Sequence, residues 1–319
     1  MDKDTVAAIA GARSLEELYS VFAATRYTAG WHKKKPSLWA SPTTEFRPLH
    51  WRYREGKLAL DRAGEWIGTE LAERRNLLMF NPVGDNDYDT TPTLVAAYQM
   101  IKPGEHARAH RHTPNALRLI LDAEPGVFTV VDGVKLSMLP GDVVLTPGWT
   151  WHSHYNEGGA NAYWIDFLDV PLVQRLEPMF YEQHPVEVQE VLSEPKESKL
   201  AFSRAWTKAT LAGLPAAANG VKRLLLPKDS MPSMSLYFLG MASGASTGSL
   251  RNSASHIYAV VEGRGRARLG DGAVSWERGD VFTAPCWAPV EIEAAEDSLV
   301  FQVTDEPLLR MLGLYREQA

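Results

Sequence analysis

Residues 115–151, NALRLILDAEPGVFTVVDGVKLSMLPGDVVLTPGWTW, consist of short runs of β-prone residues separated by Gly, Pro and Asp. Runs of this length with this punctuation predict an all-β sandwich or barrel. The same pattern returns in residues 255–289, SHIYAVVEGRGRARLGDGAVSWERGDVFTAPCWAP, where Trp287 falls in the place of Trp149. The sequence therefore predicts a barrel that has been duplicated.

The composition is that of a globular protein with a sizeable core: 319 residues, 45% hydrophobic and 23% charged. A net charge of -6 and a pI near 5.9 give no electrostatic case for nucleic acid or an anionic membrane as partner. The single cysteine, Cys286, permits no intrachain disulfide, and the first residues lack the pattern of a signal peptide. No run reaches about 18 apolar residues, so we expect a cytoplasmic protein.

The chain divides by pattern into four segments. We expect an N-terminal helix and arm over residues 1–90, a first barrel over 91–182, a linker over 183–219, and a second barrel with a C-terminal helix over 220–319. Within them, residues 4–26 and 171–182 read as helical, with Ser14 and Glu17 in a helix-capping arrangement. The rest of the arm, from about residue 28, reads as irregular chain.

Two histidine pairs stand out in the first barrel: His110 with His112, and His152 with His154. Side chains two apart in a strand point to the same face, so the pairs can converge. The alternative is that they are ordinary polar residues of a half-exposed sheet. The second barrel argues against that alternative, because it carries at the same positions Leu250, Asn252, Val290 and Ile292. A folding requirement common to both barrels would not have been lost so completely, so we expect a metal site in the first barrel alone.

Histidine ligands restrict which metals can bind but do not identify one metal. Neutral imidazoles suit Zn, Fe, Cu, Ni or Co, whereas Mg and Ca prefer oxygen. An all-histidine set leaves the full +2 charge of the ion uncompensated. Such a site is prepared for an anionic ligand, with open positions for a further small molecule.

At this point the sequence resembles a known family. The first barrel is similar to the first cupin barrel of the gentisate 1,2-dioxygenase family in three stretches: PGEHARAHRHTPNALRLI, PGDVVLTPGWTWHSHYNEG and WIDFLDVPLV. That family consists of bicupin enzymes and includes salicylate, substituted-salicylate and 1-hydroxy-2-naphthoate dioxygenases. HWRY and AERRNLLMFNP in the arm and the tail FQVTDEPLLRMLGLYRE resemble it too, from about residue 48 to the end. The resemblance implies two jelly-roll barrels with an N-terminal helical arm and a short C-terminal helix.

The resemblance also implies one Fe(II) per chain, held by His110, His112 and His152. The general cupin pattern places a glutamate ligand four or five residues after His112, where this chain has Ala116 and Leu117. We therefore expect the three-histidine variant of the site.

Further residues match positions that line the substrate pocket of the family: His154, Gln99, Arg118, Asp166 and one or both of Arg74 and Arg75. Each has a structural alternative. The arginine pair reads equally well as a solvated pair at a helix end, Gln99 as a polar residue facing a neighbouring strand, and Asp166 as half of a structural ion pair. His106 lies outside the matched pattern and is expected to be an exposed bystander.

The activity implied is cleavage of an ortho-hydroxybenzoate ring between C1 and C2 with O2, the substrate binding through its carboxylate and phenol oxygens. Gentisate and 5-substituted salicylates, such as 5-nitrosalicylate or 5-chlorosalicylate, are the candidate substrates, and the family suggests a homotetramer. Two non-oxidative alternatives remain open. One is a sensor that binds a small carboxylate without turnover, and the other is a cupin isomerase or hydrolase that uses Zn or Mn.

Overall fold

The computed structural model describes residues 3–32, 37–69, 74–227 and 231–318. The chain separates into two units, residues 1–43 and residues 44–319. The short lysine run at 33–35 lies outside the described residues. Both predicted barrels fall within the second unit.

The helices among the described residues are α1 (Lys3–Gly11), α2 (Leu15–Ala24), α3 (Tyr53–Trp66), α4 (Val170–Leu176), α5 (Arg204–Gly213) and α6 (Glu306–Met311). At the start of α2, the side chain of Ser14 accepts from the Glu17 amide at 3.1 Å, and the Glu17 carboxylate accepts from the Arg13 amide at 2.7 Å. The bond to Ser14 confirms the predicted cap, and the Glu17 carboxylate binds the amide one residue before it. No helix in the described ranges is both long enough and apolar enough to cross a bilayer.

The strands from the first part of the chain are β1 (His50–Trp51), β2 (Arg75–Leu78), β3 (Val95–Ile101), β4 (His106–His112), β5 (Ala116–Asp122), β6 (Val127–Val131), β7 (Val134–Ser137), β8 (Val143–Thr146), β9 (His152–Asn156), β10 (Ala162–Leu168), β11 (Tyr181–Gln183) and β12 (Ala201–Phe202). Those that follow are β13 (Val221–Leu225), β14 (Ser235–Met241), β15 (His256–Glu262), β16 (Arg264–Leu269), β17 (Gly272–Glu277), β18 (Val281–Ala284), β19 (Val290–Ala294) and β20 (Ser298–Thr304).

The strands form two barrels of two sheets each. The first barrel consists of two sheets, one of strand order β12-β8-β5-β10-β3-β2 and the other of strand order β11-β4-β9-β6-β7. In the second, the orders are β1-β18-β15-β20-β14-β13 and β17-β16-β19. This all-β bicupin architecture confirms the predicted fold class.

Side-chain alternation along β5 shows how the barrels are stabilised. Leu117, Leu119 and Leu121 belong to an apolar core shared by both barrels, which also contains Phe238 and Phe301 of the second barrel. The alternate residues of β5 therefore face the interior of the first barrel. There, one end is apolar and includes Ile120 and Trp164, while the other end carries the polar side chains described below.

The two barrels repeat unusual backbone geometry at matching positions. Trp149 and Trp287 both adopt φ of 65°, in the left-handed region that non-glycine residues rarely occupy. Each donates its amide at 2.7 Å to a carbonyl, Trp149 to His112 and Trp287 to Asn252. Because Asn252 stands in the place of His112, this shared turn supports the predicted duplication at the level of single hydrogen bonds.

Each barrel also receives a strand from outside its own run of sequence. β1 pairs with β18 of the second barrel, and β12 pairs with β8 of the first. The helix that follows each strand is anchored in the same way, since Asp280 accepts from the first amide of α3 at Tyr53, and Asp142 accepts from the first amide of α5 at Arg204. The duplicated unit therefore includes a leading strand and helix, and the two leading strands are exchanged between barrels.

Several sequence expectations about local structure were wrong. Helix α3 lies in the predicted irregular arm, and β12 and α5 lie in the predicted linker. The helix expected over residues 171–182 ends at Leu176, because Glu177 is left-handed with φ of 75° and Pro178 follows it; the chain then forms β11. Periodicity alone missed these elements, which pack on strands distant in the sequence: β12 pairs with β8, and β11 pairs with β4. The predicted domain boundaries remain predictions.

Candidate metal centre and substrate pocket

Three histidines converge inside the first barrel. His110 and His112 lie on β4, and His152 begins β9, where it pairs directly with His110. One ring nitrogen of each lies within 4.8 Å of the other two. The ring of His152 is 4.4 Å from that of His110 and 4.8 Å from that of His112, between centroids. The alternation of side chains along β4 thus places the imidazoles of His110 and His112 on one face, and the pairing of β4 with β9 brings His152 to the same place.

The outer face of the same strand is braced by aromatic packing. Arg111, between the two β4 histidines, points away from them, and its guanidinium lies 4.3 Å from the Trp149 ring and 4.4 Å from the Trp151 ring. Its Nε and Nη2 also donate to the Glu182 carboxylate at 2.9 and 2.6 Å. These contacts join β4 to the loop that leads into His152.

Backbone carbonyls fix which ring nitrogen of each histidine faces inward. The Nδ1 atoms of His110, His112 and His152 lie 2.9, 2.8 and 3.0 Å from the carbonyl oxygens of Arg108, Pro114 and Thr150, respectively. A carbonyl only accepts, so each Nδ1 carries the hydrogen and each Nε2 carries a lone pair. Nε2 of His152 is buried and has no hydrogen-bond partner among the described residues. Outer hydrogen bonds of this kind are how proteins orient metal-binding imidazoles.

Burial keeps these imidazoles neutral. It lowers the pKa of His110 to about 3, with the nearby Arg74 charge acting in the same direction. The pKa of His112 is lowered and that of His152 lies well below its ordinary value, in both cases chiefly because of burial. The three rings are therefore ready to bind a cation at neutral pH without first losing a proton.

The donor set fits a transition metal. Three inward-facing imidazole lone pairs suit Fe, Zn, Cu, Ni or Co, and they supply no negative charge. A buried, unpartnered acceptor such as Nε2 of His152 is costly unless a donor or a cation meets it. The group expected from the sequence to hold a metal is thus assembled, whereas the identity of the metal is not decided by this geometry.

A fourth histidine lies beside this group. His154 follows His152 on the same face of β9, with ring centroids 5.8 Å apart, but it is not part of the three-histidine group. Its Nδ1 is 2.8 Å from Oγ1 of Thr129, and its ring lies 5.8 Å from that of Trp164. Nε2 of His154 is buried without a partner in the described chain.

The opposite sheet of the barrel supplies cationic groups. Arg118 on β5 is 1% exposed, and its Nε lies 3.4 Å from Oδ1 of Asp166, directly across the strand pair on β10. Arg74 lies 3.6 Å from the other oxygen of Asp166 and donates through Nε to Gln99 at 3.0 Å. Trp164 donates its indole hydrogen to Asp166 at 2.8 Å. One carboxylate thus holds two arginines in place inside the barrel.

The charge of Arg118 survives its burial. Burial lowers its pKa to about 10, while the neighbouring carboxylate of Asp166 opposes that shift. The guanidinium is therefore cationic at pH 7. Nη1 donates to Thr146 at 2.6 Å, whereas Nε is buried without a hydrogen-bond partner among the described residues. Two arginines against one carboxylate give this wall of the pocket an excess positive charge, which suits an anionic ligand.

The structure separates the two adjacent arginines. Arg75 is 2% exposed and binds the carboxylate of Glu105 through both Nη atoms, while its Nε and Nη2 donate to the Ile67 carbonyl. Its guanidinium is thus committed to this ion pair, and the geometry favours Arg74 as the pocket residue. His106, expected to be a bystander, is partly exposed and lies 3.3 Å from Glu187.

Sequence reasoning missed three partners of these residues. Thr129 contacts His154, Thr146 accepts from Arg118, and Glu105 binds Arg75. Thr129 and Thr146 sit in apolar strands where a threonine is unremarkable by propensity. Strand pairing is what reveals Thr129, because it lies directly opposite His154.

The second barrel carries none of this chemistry at the matching positions. Val290 and Ile292, in the places of His152 and His154, belong to its apolar interior. Tyr258 and Gln302 replace the Arg118–Asp166 pair in the same register and share a hydrogen bond of 3.3 Å. Near them, His256 is buried against Asn252 and Gln302.

These buried rings predict acid sensitivity of the metal-free protein. Burial is the main cause of a lowered pKa in five histidines: His110, His112, His152, His154 and His256. The unfolded chain takes up these protons near pH 6.5, whereas the folded chain does so only at lower pH, about 3 for His110 and His256. Stability is therefore fully present above about pH 6.5 and falls as the pH decreases, by up to about 1.4 kcal/mol per pH unit for each ring.

The free energy of unfolding, measured with urea at pH 7, 6 and 5, checks this expectation. His256 lies in the second barrel, away from the metal group. Replacing it with Gln should reduce the pH dependence of the unfolding free energy by the contribution of one histidine. A profile that does not change between pH 7 and 5 would contradict the assigned neutral state of these histidines.

Comparison with known proteins places the chain in context. The Cupin domain family matches residues 97–169, the strands that carry the histidines. Gentisate 1,2 dioxygenase 1 of Aquipseudomonas alcaligenes is 30% identical over 95% of each chain, and 5-aminosalicylate 1,2-dioxygenase of Comamonas sp is 32% identical over 96% of this chain and 90% of that one.

A solved structure agrees over nearly the full length. Salicylate 1,2-dioxygenase from Pseudoaminobacter salicylatoxidans, as adducts with gentisate, superposes with a TM-score of 0.88 and 26% sequence identity, covering 97% of this chain and 94% of that chain. Fold, histidine group and full-length similarity therefore agree. The chain belongs to the gentisate 1,2-dioxygenase family of ring-cleaving bicupin dioxygenases.

Proposed function

We propose that the protein uses Fe(II) and O2 to cleave the ring of an ortho-hydroxybenzoate between C1 and C2, with gentisate or a 5-substituted salicylate as substrate. The observation that carries the proposal is the pairing of two groups across one barrel. Three neutral imidazoles gather on one sheet, and two arginines held by one carboxylate face them from the other. This combination suits a cation and an aromatic anion side by side.

His110, His112 and His152 would hold the iron through Nε2. Bound there, Fe(II) supplies a Lewis acid for the phenol oxygen and the electrons needed to activate O2. The three backbone carbonyls that accept from Nδ1 keep the rings aimed inward before the metal arrives. Among the described residues no carboxylate joins this group, so the substrate would supply the charge that balances the metal.

The arginines bind and orient the substrate. Arg118, whose Nε is buried without a hydrogen-bond partner among the described residues, and Arg74 would donate to the carboxylate of the substrate. Asp166 keeps both guanidinium groups in position, and Gln99 accepts from Arg74 and restrains it further. Full burial of Arg118 strengthens its interaction with an anion, since little water competes. The relatives act, by their names, on gentisate and 5-aminosalicylate, which share the carboxylate and the ortho hydroxyl.

O2 uptake by the anaerobically Fe(II)-loaded full chain tests the proposal. The substrate panel is gentisate, salicylate, 5-aminosalicylate, 5-chlorosalicylate, 5-nitrosalicylate and 1-hydroxy-2-naphthoate, with 3-hydroxybenzoate as the control that lacks the ortho hydroxyl. We expect about one O2 consumed per substrate, with loss of the aromatic absorbance, for at least one member and none for the control.

Two results would overturn the proposal. Absence of uptake with every member, despite one iron per chain, would direct attention to the non-oxidative cupin activities, which can be assayed with Zn or Mn. Turnover of the panel without O2 consumption would point to an isomerase or hydrolase. Mass spectrometry of the product distinguishes ring cleavage from a non-oxidative reaction, because a ring-cleaving dioxygenase adds both atoms of O2 to its product.

A further inference from the structure

We propose that Thr129 is a positioning residue that holds His154 in the tautomer with a bare Nε2, so that the pocket accepts a hydrogen bond from a hydroxyl or amino group of the substrate. The part that concerns the substrate rests on the proposed function. The part that concerns the tautomer does not, because it follows from hydrogen bonds within the chain.

The hydrogens around Thr129 can be accounted for one by one. Its hydroxyl lies 2.8 Å from the carbonyl oxygen of Ser153 and 2.8 Å from Nδ1 of His154. A hydroxyl has one hydrogen, and the carbonyl can only accept it. The hydroxyl oxygen must therefore accept from the histidine, which places the imidazole hydrogen on Nδ1. Nε2 is left as an acceptor.

Nε2 of His154 is a buried acceptor that lies outside the three-histidine group. His154 is 1% exposed and Thr129 fully buried, and Nε2 has no partner among the described residues. On the opposite side of the barrel, Arg74 and Arg118 offer only donors, and the acceptors Asp166 and Gln99 already bind these arginines. Contacts run from His154 to the Trp164 ring, and from the Trp164 indole to Asp166, which holds both arginines. Nε2 of His154 is thus an acceptor beside two cationic donors. A substrate carboxylate would bind the arginines, and a hydroxyl or amino group of the same substrate could donate to Nε2.

The second barrel provides an internal control. Ala267 lies directly opposite Ile292, as Thr129 lies directly opposite His154. Both members of the pair are apolar there and belong to the barrel interior. A threonine required only by the fold of this sheet would have a reason to persist in both barrels. The barrel without the histidine also lacks the hydroxyl, which ties the role of Thr129 to His154.

The tautomer can be observed directly in the metal-free full-length chain by NMR of ¹⁵N-labelled histidine rings, with His154→Gln to identify the signal. We expect Nδ1 of His154 to be the protonated nitrogen in the wild type and in Thr129→Ser. In Thr129→Val the hydrogen should move to Nε2, because Nδ1 then lacks an acceptor and Nε2 faces the pocket. Thr129→Ala, which copies the second barrel, replaces the valine variant if that variant fails to fold.

Steady-state kinetics test the consequence for the substrate. In Thr129→Val we expect KM for the accepted panel substrate to increase by about tenfold or more, the value of one hydrogen bond, with iron content unchanged and Thr129→Ser close to the wild type. An unchanged tautomer in the valine and alanine variants would overturn the role of Thr129. A changed tautomer with unchanged KM would overturn the role of Nε2 toward the substrate.

The two proposals fail in different ways. If no panel compound is turned over, the proposed function fails, and the NMR result still decides what Thr129 does. If turnover occurs but the tautomer does not respond to Thr129, the dioxygenase proposal stands and the inference about Thr129 is lost.

Discussion

His152→Ala is expected to reduce bound iron to less than about a tenth of an ion per chain and activity by at least about a hundredfold, since even loss of a hydrogen-bond partner of a ligand costs 10- to 100-fold. His152 is the only member of the group that β9 contributes, and its ring is within 4.8 Å of both others. Without it, two imidazoles from one strand remain, and they leave most of the coordination sphere to water. Metal analysis of the reconstituted protein measures the effect.

The matched control is Val290→Ala, which shortens the residue in the same place of the second barrel. Val290 lies in an apolar interior, so this variant should lose some stability through the cavity it creates but retain iron. Iron content unchanged in His152→Ala would remove this residue from the ligand set. Circular dichroism of both variants distinguishes loss of metal from loss of fold.

Arg118→Met is expected to have the second large effect, on both stability and substrate binding. The side chain is 1% exposed and forms the ion pair with Asp166 and the hydrogen bond to Thr146. Removal of one member of a buried ion pair is destabilising, but Arg74 still faces Asp166 at 3.6 Å, so the cost should stay below the roughly 3 kcal/mol of a pair that loses its only partner. Loss of a charge-assisted contact with the substrate carboxylate should raise KM by about tenfold or more. Urea unfolding and steady-state kinetics measure the two effects separately.

The second barrel suggests variants that distinguish the contribution of Arg118 to stability from its contribution to activity. Tyr258 and Gln302 occupy the register of Arg118 and Asp166. The double variant Arg118→Tyr with Asp166→Gln introduces the hydrogen-bonded Tyr–Gln pair of the second barrel but also removes the carboxylate that faces Arg74, so its stability should lie within about 1 kcal/mol of that of Arg118→Tyr alone. It should still lack activity. Recovery of activity in the double variant would show that neither charge serves the substrate.

The histidines could be predicted from sequence because their chemistry is encoded in local spacing. A period of two on β-prone runs is enough to place His110 with His112, and the duplicate barrel shows what the same strands carry without a site. The fold class followed from the same repeat. Asp166 forms the ion pairs that the sequence allows as its structural alternative, and its role toward a substrate stays a prediction.

What could not be predicted depends on pairing between distant strands. Arg75 forms a bidentate ion pair with Glu105, thirty residues away, and this partner gives no signal in the local sequence; the role of Arg74 in the pocket stays a prediction. The helix over Tyr53–Trp66 begins against Asp280, in the other half of the chain. Its sequence is polar on average, and its buried face consists only of Tyr53, Leu60 and Gly64, so tertiary contacts contribute much to its stability.

The exchanged leading strands explain why a barrel without metal ligands is retained. Cutting the chain between the barrels would leave β8 without its neighbour β12 and β18 without β1, so each half would present an open sheet edge that invites aggregation. This connectivity is what two single-barrel chains that swap arms in a dimer would have after being joined end to end. In that arrangement the second barrel acts as a covalently attached partner of the first. Its strands are needed to complete the sheets, whereas metal ligands in its interior are not.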